Sequence, residues 1–147
     1  MGRDTGFPRK VRDQLDERSG GLCEICGTAD ATQRHHRRPR GSGGTRRTES
    51  NLAANGLMLC YRCHAFVEKE GRQTRVSYVR GYLVHQGDCP ARVPVHYRGG
   101  QVAFLTDDGQ VLFCTHDDRL DLTDPAYGDY TQCVDCDTQF TTDGGPL

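Results

Sequence analysis

The sequence lacks tryptophan entirely, has only two methionines, and is 35% apolar over 147 residues. Such a chain is short of material for a large hydrophobic core, and a metal ion or disulfides usually supply the missing stability. No run approaches the ~18 apolar residues of a membrane span, and the charged start lacks the apolar centre of a secretory signal. We therefore expect a cytoplasmic protein with no membrane partner, built as one domain or as a small domain with an appendage.

Cysteine, in contrast, is plentiful, and four of the eight cysteines form two pairs with two-residue spacers. Cys23 and Cys26 make one pair, and Cys60 and Cys63 make the other. Each pair has the spacing of half a tetrahedral zinc site. In a reducing compartment such pairs favour zinc over disulfides. The sequence therefore predicts one structural zinc held by these four cysteines.

The other four cysteines leave three alternatives open. Cys133 and Cys136 form a third pair, whereas Cys89 and Cys114 are isolated. They could form a second four-cysteine site, a partial site with His116, or no metal site.

Charge is distributed unevenly along this nearly neutral chain. Residues 1–80 carry 16 Lys and Arg against 9 Asp and Glu, whereas residues 81–147 carry 3 against 11. The basic half is typical of proteins that meet a polyanion. Its densest part is RHHRRPRGSGGTRR, in which arginines surround a histidine pair and a glycine-rich loop. We predict that the loop binds nucleic-acid phosphates through Arg37, Arg38, Arg40, Arg46 and Arg47.

The spacing of apolar residues and turn residues predicts an α+β fold. A helix is expected over 8–21, a strand in GLMLC before Cys60, and a second helix over 61–71. Gly-Gly and Asp-Gly dipeptides between apolar runs predict hairpins after residue 93. We divide the chain into an N-terminal helix and basic lead-in (1–21), a core (22–80) and a small β-rich acidic extension with a partly disordered tail (81–147).

The order of polar residues inside the cysteine pairs carries a resemblance. His35 and His36 precede the glycine-rich loop, Asn55 lies five residues before Cys60, and His64 follows Cys63 directly. From about residue 22 to residue 68 this order resembles the HNH endonuclease family, in the version braced by four-cysteine zinc knuckles and found in phages and prophages. The resemblance implies a ββα-metal core, to which the acidic extension is added.

The resemblance also implies a role for each residue. His35 and His64 stand where the family binds its catalytic divalent metal, here Mg, Mn, Ni or Zn. His36 stands at the general base, and Asn55 at the residue that orients it. Asn51 is a rival for the Asn role, although its distance from Cys60 fits less well. A neutral imidazole is a suitable base near neutral pH.

The function implied is metal-dependent hydrolysis of DNA, with double-stranded DNA as the substrate. His36 would activate water, leaving 5′-phosphate and 3′-hydroxyl ends. Phage relatives often act beside a terminase in genome packaging, which makes a terminase a candidate partner. The alternative is a non-catalytic zinc module that binds nucleic acid or a protein. One departure stands out, because Gly56 occupies the position where the family usually has an apolar residue.

Overall fold

The computed structural model describes residues 6–40, 47–126, 128–141 and 145. They form a protein of mixed helix and sheet, as the α+β prediction requires. The helices in these ranges are α1 (Arg9–Ser19), α2 (Tyr61–Glu68), α3 (Glu70–Gln73) and α4 (Val76–Val79). The strands are β1 (Gln33–His36), β2 (Gly56–Leu59), β3 (Val95–Tyr97), β4 (Gln101–Leu105), β5 (Val111–Phe113), β6 (Arg119–Asp124), β7 (Gly128–Cys133) and β8 (Gln139–Thr141).

The strands form three antiparallel sheets, with orders β1-β2, β3-β4-β5 and β6-β7-β8. The first two sheets belong to one compact unit, Met1–Phe113, and the third belongs to a second unit, Cys114–Leu147. This division differs from the boundary drawn at residue 80 from composition. The reason is packing, since Val95 and Leu105 from the second sheet share a core cluster with Leu57 and Leu59 of β2.

Two further expectations concern the ends of the fold. The tail predicted to be partly disordered lies outside the described residues from 142 onward, apart from Gly145. Among the helices that are described, none combines the length and the apolar character needed to cross a bilayer.

Helix α1 follows from local sequence signals. The carbonyl of Pro8 accepts the first helical hydrogen bond, from Arg12 N at 2.9 Å. The helix ends at Gly20, which takes a left-handed conformation with φ 61°. Val11 and Leu15, four residues apart, are both buried against Met58 of β2. The predicted helix is therefore confirmed, and its apolar stripe packs it against the first sheet.

The β1-β2 hairpin and α2 form a continuous unit around the histidine pair. In the hairpin, His36 pairs with Gly56. Strand β2 ends at Leu59, and α2 begins two residues later with Cys60 as its N-cap, whose sulfur accepts from Cys63 N at 3.5 Å. The helix predicted to continue to residue 71 is interrupted at Lys69, where ψ is −93°.

A buried ion pair anchors the first cysteine pair to this framework. The Glu24 carboxylate accepts from Arg18 Nε at 2.6 Å, from Met58 N at 2.7 Å and from the Tyr97 hydroxyl at 3.0 Å. Both charged side chains are buried, with relative exposures of 2% and 0%. Because each oxygen has a partner, the buried carboxylate is compensated. It ties the segment between Cys23 and Cys26 to α1, β2 and β3.

The prediction that Arg37 grips DNA is wrong, because its side chain is fully buried. Its guanidinium donates at 2.8–3.0 Å to the backbone carbonyls of Gly81, Ala54, Pro90 and Val93. Burial lowers the pKa of Arg37 to about 9, so the group stays charged at neutral pH. The buried guanidinium of Arg37 therefore holds the irregular segment 81–93 against the end of β1.

This arrangement predicts a large loss of stability in Arg37→Met, which keeps side-chain length but leaves four carbonyls without their donor. An unsatisfied buried polar group costs ~1–3 kcal/mol, so we expect the free energy of unfolding to fall by about 3 kcal/mol or more in chemical denaturation. Arg9→Met, on the exposed surface of α1, is the matched control and should unfold as the wild type does. An Arg37→Met chain with the wild-type midpoint would contradict this assignment.

Candidate metal centres

The two cysteine pairs meet in the first unit, as the sequence predicts. One ligand atom from each of Cys23, Cys26, Cys60 and Cys63 lies within 4.8 Å of the others. The turn after Cys26 directs the backbone amides of Ala29 and Thr28 at the sulfur of Cys26, and these hydrogen bonds lower the pKa of that thiol to about 6, whereas burial raises the pKa of Cys23 and of Cys63. This turn therefore favours the thiolate form that binds metal. The cluster has the ligands and the closed geometry of a structural zinc site.

A second cluster lies in the C-terminal unit and settles which of the remaining cysteines come together. Cys114, His116, Cys133 and Cys136 offer ligand atoms within 4.8 Å of one another. Sγ of Cys114 lies 3.6 Å from Sγ of Cys133, far beyond the ~2.05 Å of a disulfide. It is close to the ~3.8 Å between two sulfurs on a tetrahedral zinc. Cys89 is exposed and is not part of either cysteine cluster.

The second cluster shows the same balance of burial and amide bonding. Burial would raise the pKa of Cys133, but hydrogen bonds from His116 and from the amides of Cys136 and Asp135 outweigh it and lower the pKa to about 7. Nδ1 of His116 lies 3.3 Å from Sγ of Cys136. Of the alternatives left open by the sequence, the structure favours the site that includes His116. It can hold zinc as a three-cysteine, one-histidine set.

A third cluster is different, because it contains no sulfur. His35 and His64, the two predicted ligands of a catalytic metal, lie together with Glu68, again within 4.8 Å. Glu68 was missed by sequence reasoning. The available signal was its position four residues after His64, which places both side chains on one face of α2.

The hydrogen bonds of the two histidines leave a nitrogen of each free for a metal. Nε2 of His35 lies 2.9 Å from the Tyr82 carbonyl, which can only accept, so Nε2 must carry the proton. Nδ1 of His64 bonds to Oε1 of Gln33. In each ring the other nitrogen is then left as an acceptor, and partners of this kind commonly fix the tautomer of a ligating histidine.

The environment of His35 tests whether a cation fits. Burial lowers the pKa of His35 to about 4, so its ring is neutral and Nδ1 carries a lone pair. That nitrogen lies 3.3 Å from Oε1 of Glu68. Two acceptors facing each other repel, and a cation between them converts the repulsion into ligation. The donor set therefore fits a divalent metal.

His36 has different neighbours from His35, as expected for adjacent residues on a strand. Its ring stacks on Phe7, with centroids 3.9 Å apart and an interplanar angle of 5°. Burial, and then the charge of Arg40, lower the pKa of His36 to about 4. Gly56 permits this stack, since a Cβ there would lie 3.1 Å from the Phe7 ring and 2.8 Å from Leu15. The glycine at position 56 therefore leaves room for the side chains of Leu15 and Phe7.

The predicted contact between Asn55 and His36 is wrong. Oδ1 of Asn55 accepts from Arg38 N at 2.7 Å, and Nδ2 donates to the carbonyls of Arg38 and Ser50. The amide thus joins the two ends of the segment from Arg38 to Ser50, which we call the arginine loop. Asn51, the rival considered from sequence, provides the contact, with Oδ1 lying 3.3 Å from Nε2 of His36.

The remaining arginines divide into buried and accessible groups. Arg38 is 3% exposed and bonds to Ser50 and to the Asp88 carbonyl, so its predicted contact with DNA is also wrong. Arg47 is exposed and bonds to the Gln86 carbonyl. Arg40 lines a surface depression. Arg46 and the glycine-rich stretch 41–44 lie outside the described residues.

The depression brings the candidate site together. His35, His36, His64 and Glu68 all line it. Two arginines that sequence reasoning did not single out, Arg34 and Arg72, line it beside Arg40. Arg72 also donates to Oε2 of Glu68 at 2.9 Å.

No family model, curated protein or solved structure matches this chain.

The two cysteine-containing clusters predict two zinc ions per chain that a mercurial thiol reagent releases. Cys133→Ser should release one, because only the second unit loses its site. Cys60→Ser should give insoluble or unfolded protein, since structural zinc supplies ~10–16 kcal/mol of apparent folding free energy in small zinc peptides. Cys89→Ser is the control and should still release two. A soluble Cys133→Ser chain that still releases two zinc ions would disprove the second site.

Proposed function

We propose that this chain is a metal-dependent endonuclease that hydrolyses DNA phosphodiester bonds with an HNH-type site. The observation that carries the proposal is the shared depression. It combines a neutral, partly buried His36 with the cation-fitting cluster of His35, His64 and Glu68. Hydrolysis of a phosphodiester needs a base that activates water and a cation that stabilises the charge on the phosphate and the leaving oxygen, and this depression can supply both.

The chemistry of the three ligands narrows the choice of metal ion. Two imidazoles and one carboxylate suit transition ions such as Mn²⁺, Ni²⁺ or Zn²⁺ better than Mg²⁺, which prefers oxygen ligands. Three protein ligands leave coordination positions for water and phosphate. Such an ion would place positive charge beside the phosphate and the departing 3′ oxygen.

The residues of the chain supply the proton transfer. His36 accepts a proton from water as the water oxygen forms a bond to phosphorus and the bond from phosphorus to the 3′ oxygen breaks. The 3′ oxygen takes a proton from solvent, which gives 5′-phosphate and 3′-hydroxyl ends. Phe7 fixes the plane of the base and Asn51 its rotation. The low pKa of His36 keeps the ring unprotonated at neutral pH, so that it can accept a proton.

Accessible arginines support the choice of a nucleic acid as substrate. Arg34, Arg40 and Arg72 lie in the depression itself, where a phosphate would approach the metal site. Contacts of this kind hold the backbone without reading its sequence. Arg72 has a second contact, because its bond to Glu68 helps position the carboxylate.

Cleavage of supercoiled plasmid tests the proposal through two variants that differ in kind. His36→Ala should retain DNA binding and both sulfur-bound zinc ions but lose ~10²–10⁴-fold in rate, the usual contribution of a proton-transfer residue. Glu68→Gln should instead raise the Mn²⁺ concentration needed for half-maximal rate, because it weakens a ligand and leaves the base. A folded His36→Ala chain that cuts at the wild-type rate with every divalent metal would refute the proposal.

The salt dependence of DNA binding tests the arginine assignment. Arg40→Gln should reduce the slope of log affinity against log salt by about 0.9, the value for one lost phosphate contact on duplex DNA. Arg37 cannot serve in this test because it is structural. Arg9→Gln, on exposed α1, should leave the slope unchanged. An unaltered slope in Arg40→Gln would remove Arg40 from the phosphate-binding surface.

A further inference from the structure

A stacked pair of rings, which the hydrolytic chemistry does not use, includes His85, whose neighbours Val84 and Gln86 bond to residues that follow His36. Tyr78 of α4 and His85 have ring centroids 4.3 Å apart with an interplanar angle of 9°. The guanidinium of Arg75 lies 5.6 Å from the centre of the Tyr78 ring. His85 and Arg75 are exposed, and Tyr78 is partly exposed. We call these three residues the stacking platform.

Two hydrogen bonds, one from the backbone and one from a side chain, place the segment that carries His85 next to the residues that follow β1. Val84 N donates to the Arg37 carbonyl at 2.8 Å, and Gln86 Nε2 donates to the Pro39 carbonyl at 2.6 Å. His85 lies between these two anchors. Arg37 directly follows His36 in the chain, and Pro39 lines the depression. The residues on either side of His85 therefore bond to Arg37 and Pro39, which closely follow the proposed general base in the chain.

Two further hydrogen bonds hold the segment between the two rings. The carbonyl of Tyr82 is the hydrogen-bond partner of His35, and Gly81 is held by the buried guanidinium of Arg37. Gly81 has φ 72°, and a Cβ there would overlap the Pro94 carbonyl oxygen, so only glycine fits this turn. The same anchors that hold the metal-facing histidine thus hold the segment that carries the rings.

We propose that the stacking platform binds an unpaired nucleobase of the DNA strand being cut. This inference rests on the proposed nuclease function and narrows its substrate to DNA with a single-stranded segment at the site. Aromatic rings and a guanidinium plane are the groups that proteins use to stack bases without reading sequence. In a duplex the face of each base is covered by the adjacent stacked bases, so a base can stack on the platform only where it is unpaired.

Binding of an oligonucleotide tests the platform separately from cleavage. The probe is a 15-nucleotide oligo-dT with one 2-aminopurine, added to the full chain without extra divalent metal. The wild type should quench the fluorescence. His85→Ala and Tyr78→Ala should each weaken single-strand affinity about 5- to 150-fold, the range for loss of one stacked base. Affinity for a duplex of the same length should remain unchanged.

Two variants serve as controls. Tyr78→Phe keeps the ring and should bind as the wild type does. Phe113→Ala removes another half-exposed ring of the same unit, 52% accessible, and should also bind normally. His85→Ala removes an exposed side chain, so it remains informative even if Tyr78→Ala fails to fold.

The outcomes separate the two proposals. Wild-type single-strand affinity in His85→Ala, or equal losses for duplex and single strand, would overturn the platform. If the platform variants behave as expected but no plasmid is cut, the nuclease proposal fails while base stacking stands. If both hold, the wild type should also cut a gapped duplex faster than an intact one, and His85→Ala should lose that preference.

Discussion

The meeting of two distant cysteine pairs is the constraint on which the first unit depends. Cys23 and Cys26 precede the β1-β2 hairpin, and Cys60 and Cys63 follow it, so a cation held by all four sulfurs would close the hairpin at its base. Cys60 is also the N-cap of α2. The sulfur cluster therefore fixes where α2 starts, and with it the position of His64 and Glu68 opposite His35.

Buried polar groups also hold the segments of the first unit together, a role that apolar residues have in larger cores. Arg37 holds segment 81–93 through four carbonyls, Asn55 joins the ends of the arginine loop, and Glu24 fixes the first knuckle. Each group is fully buried. Since these bonds are directional, they define geometry more sharply than apolar contact does. The candidate site lies on β1 and α2, and these anchors hold the irregular segments beside it in place.

The sequence was informative where signals are local. The Val11 and Leu15 spacing predicted α1, and the turn residues at 99–100 and 108–109 predicted the second sheet, because both follow from backbone preferences over a few residues. Arg37 could not be assigned in this way, since arginine is usually exposed and its partners come from residues far along the chain. The exchange of roles between Asn51 and Asn55 likewise depends on how the loop closes, which spacing from Cys60 does not determine.

The central claim is that His35, His64 and Glu68 hold a divalent ion beside His36, and that the ion and His36 together hydrolyse DNA. Anomalous diffraction from crystals of the His36→Ala chain, grown with Mn²⁺ and a short gapped DNA, tests it most directly. The account predicts a manganese peak bonded to Nδ1 of His35, Nε2 of His64 and the Glu68 carboxylate, with a DNA phosphate as a further ligand. Manganese bound elsewhere, or a phosphate backbone that avoids this depression, would contradict it.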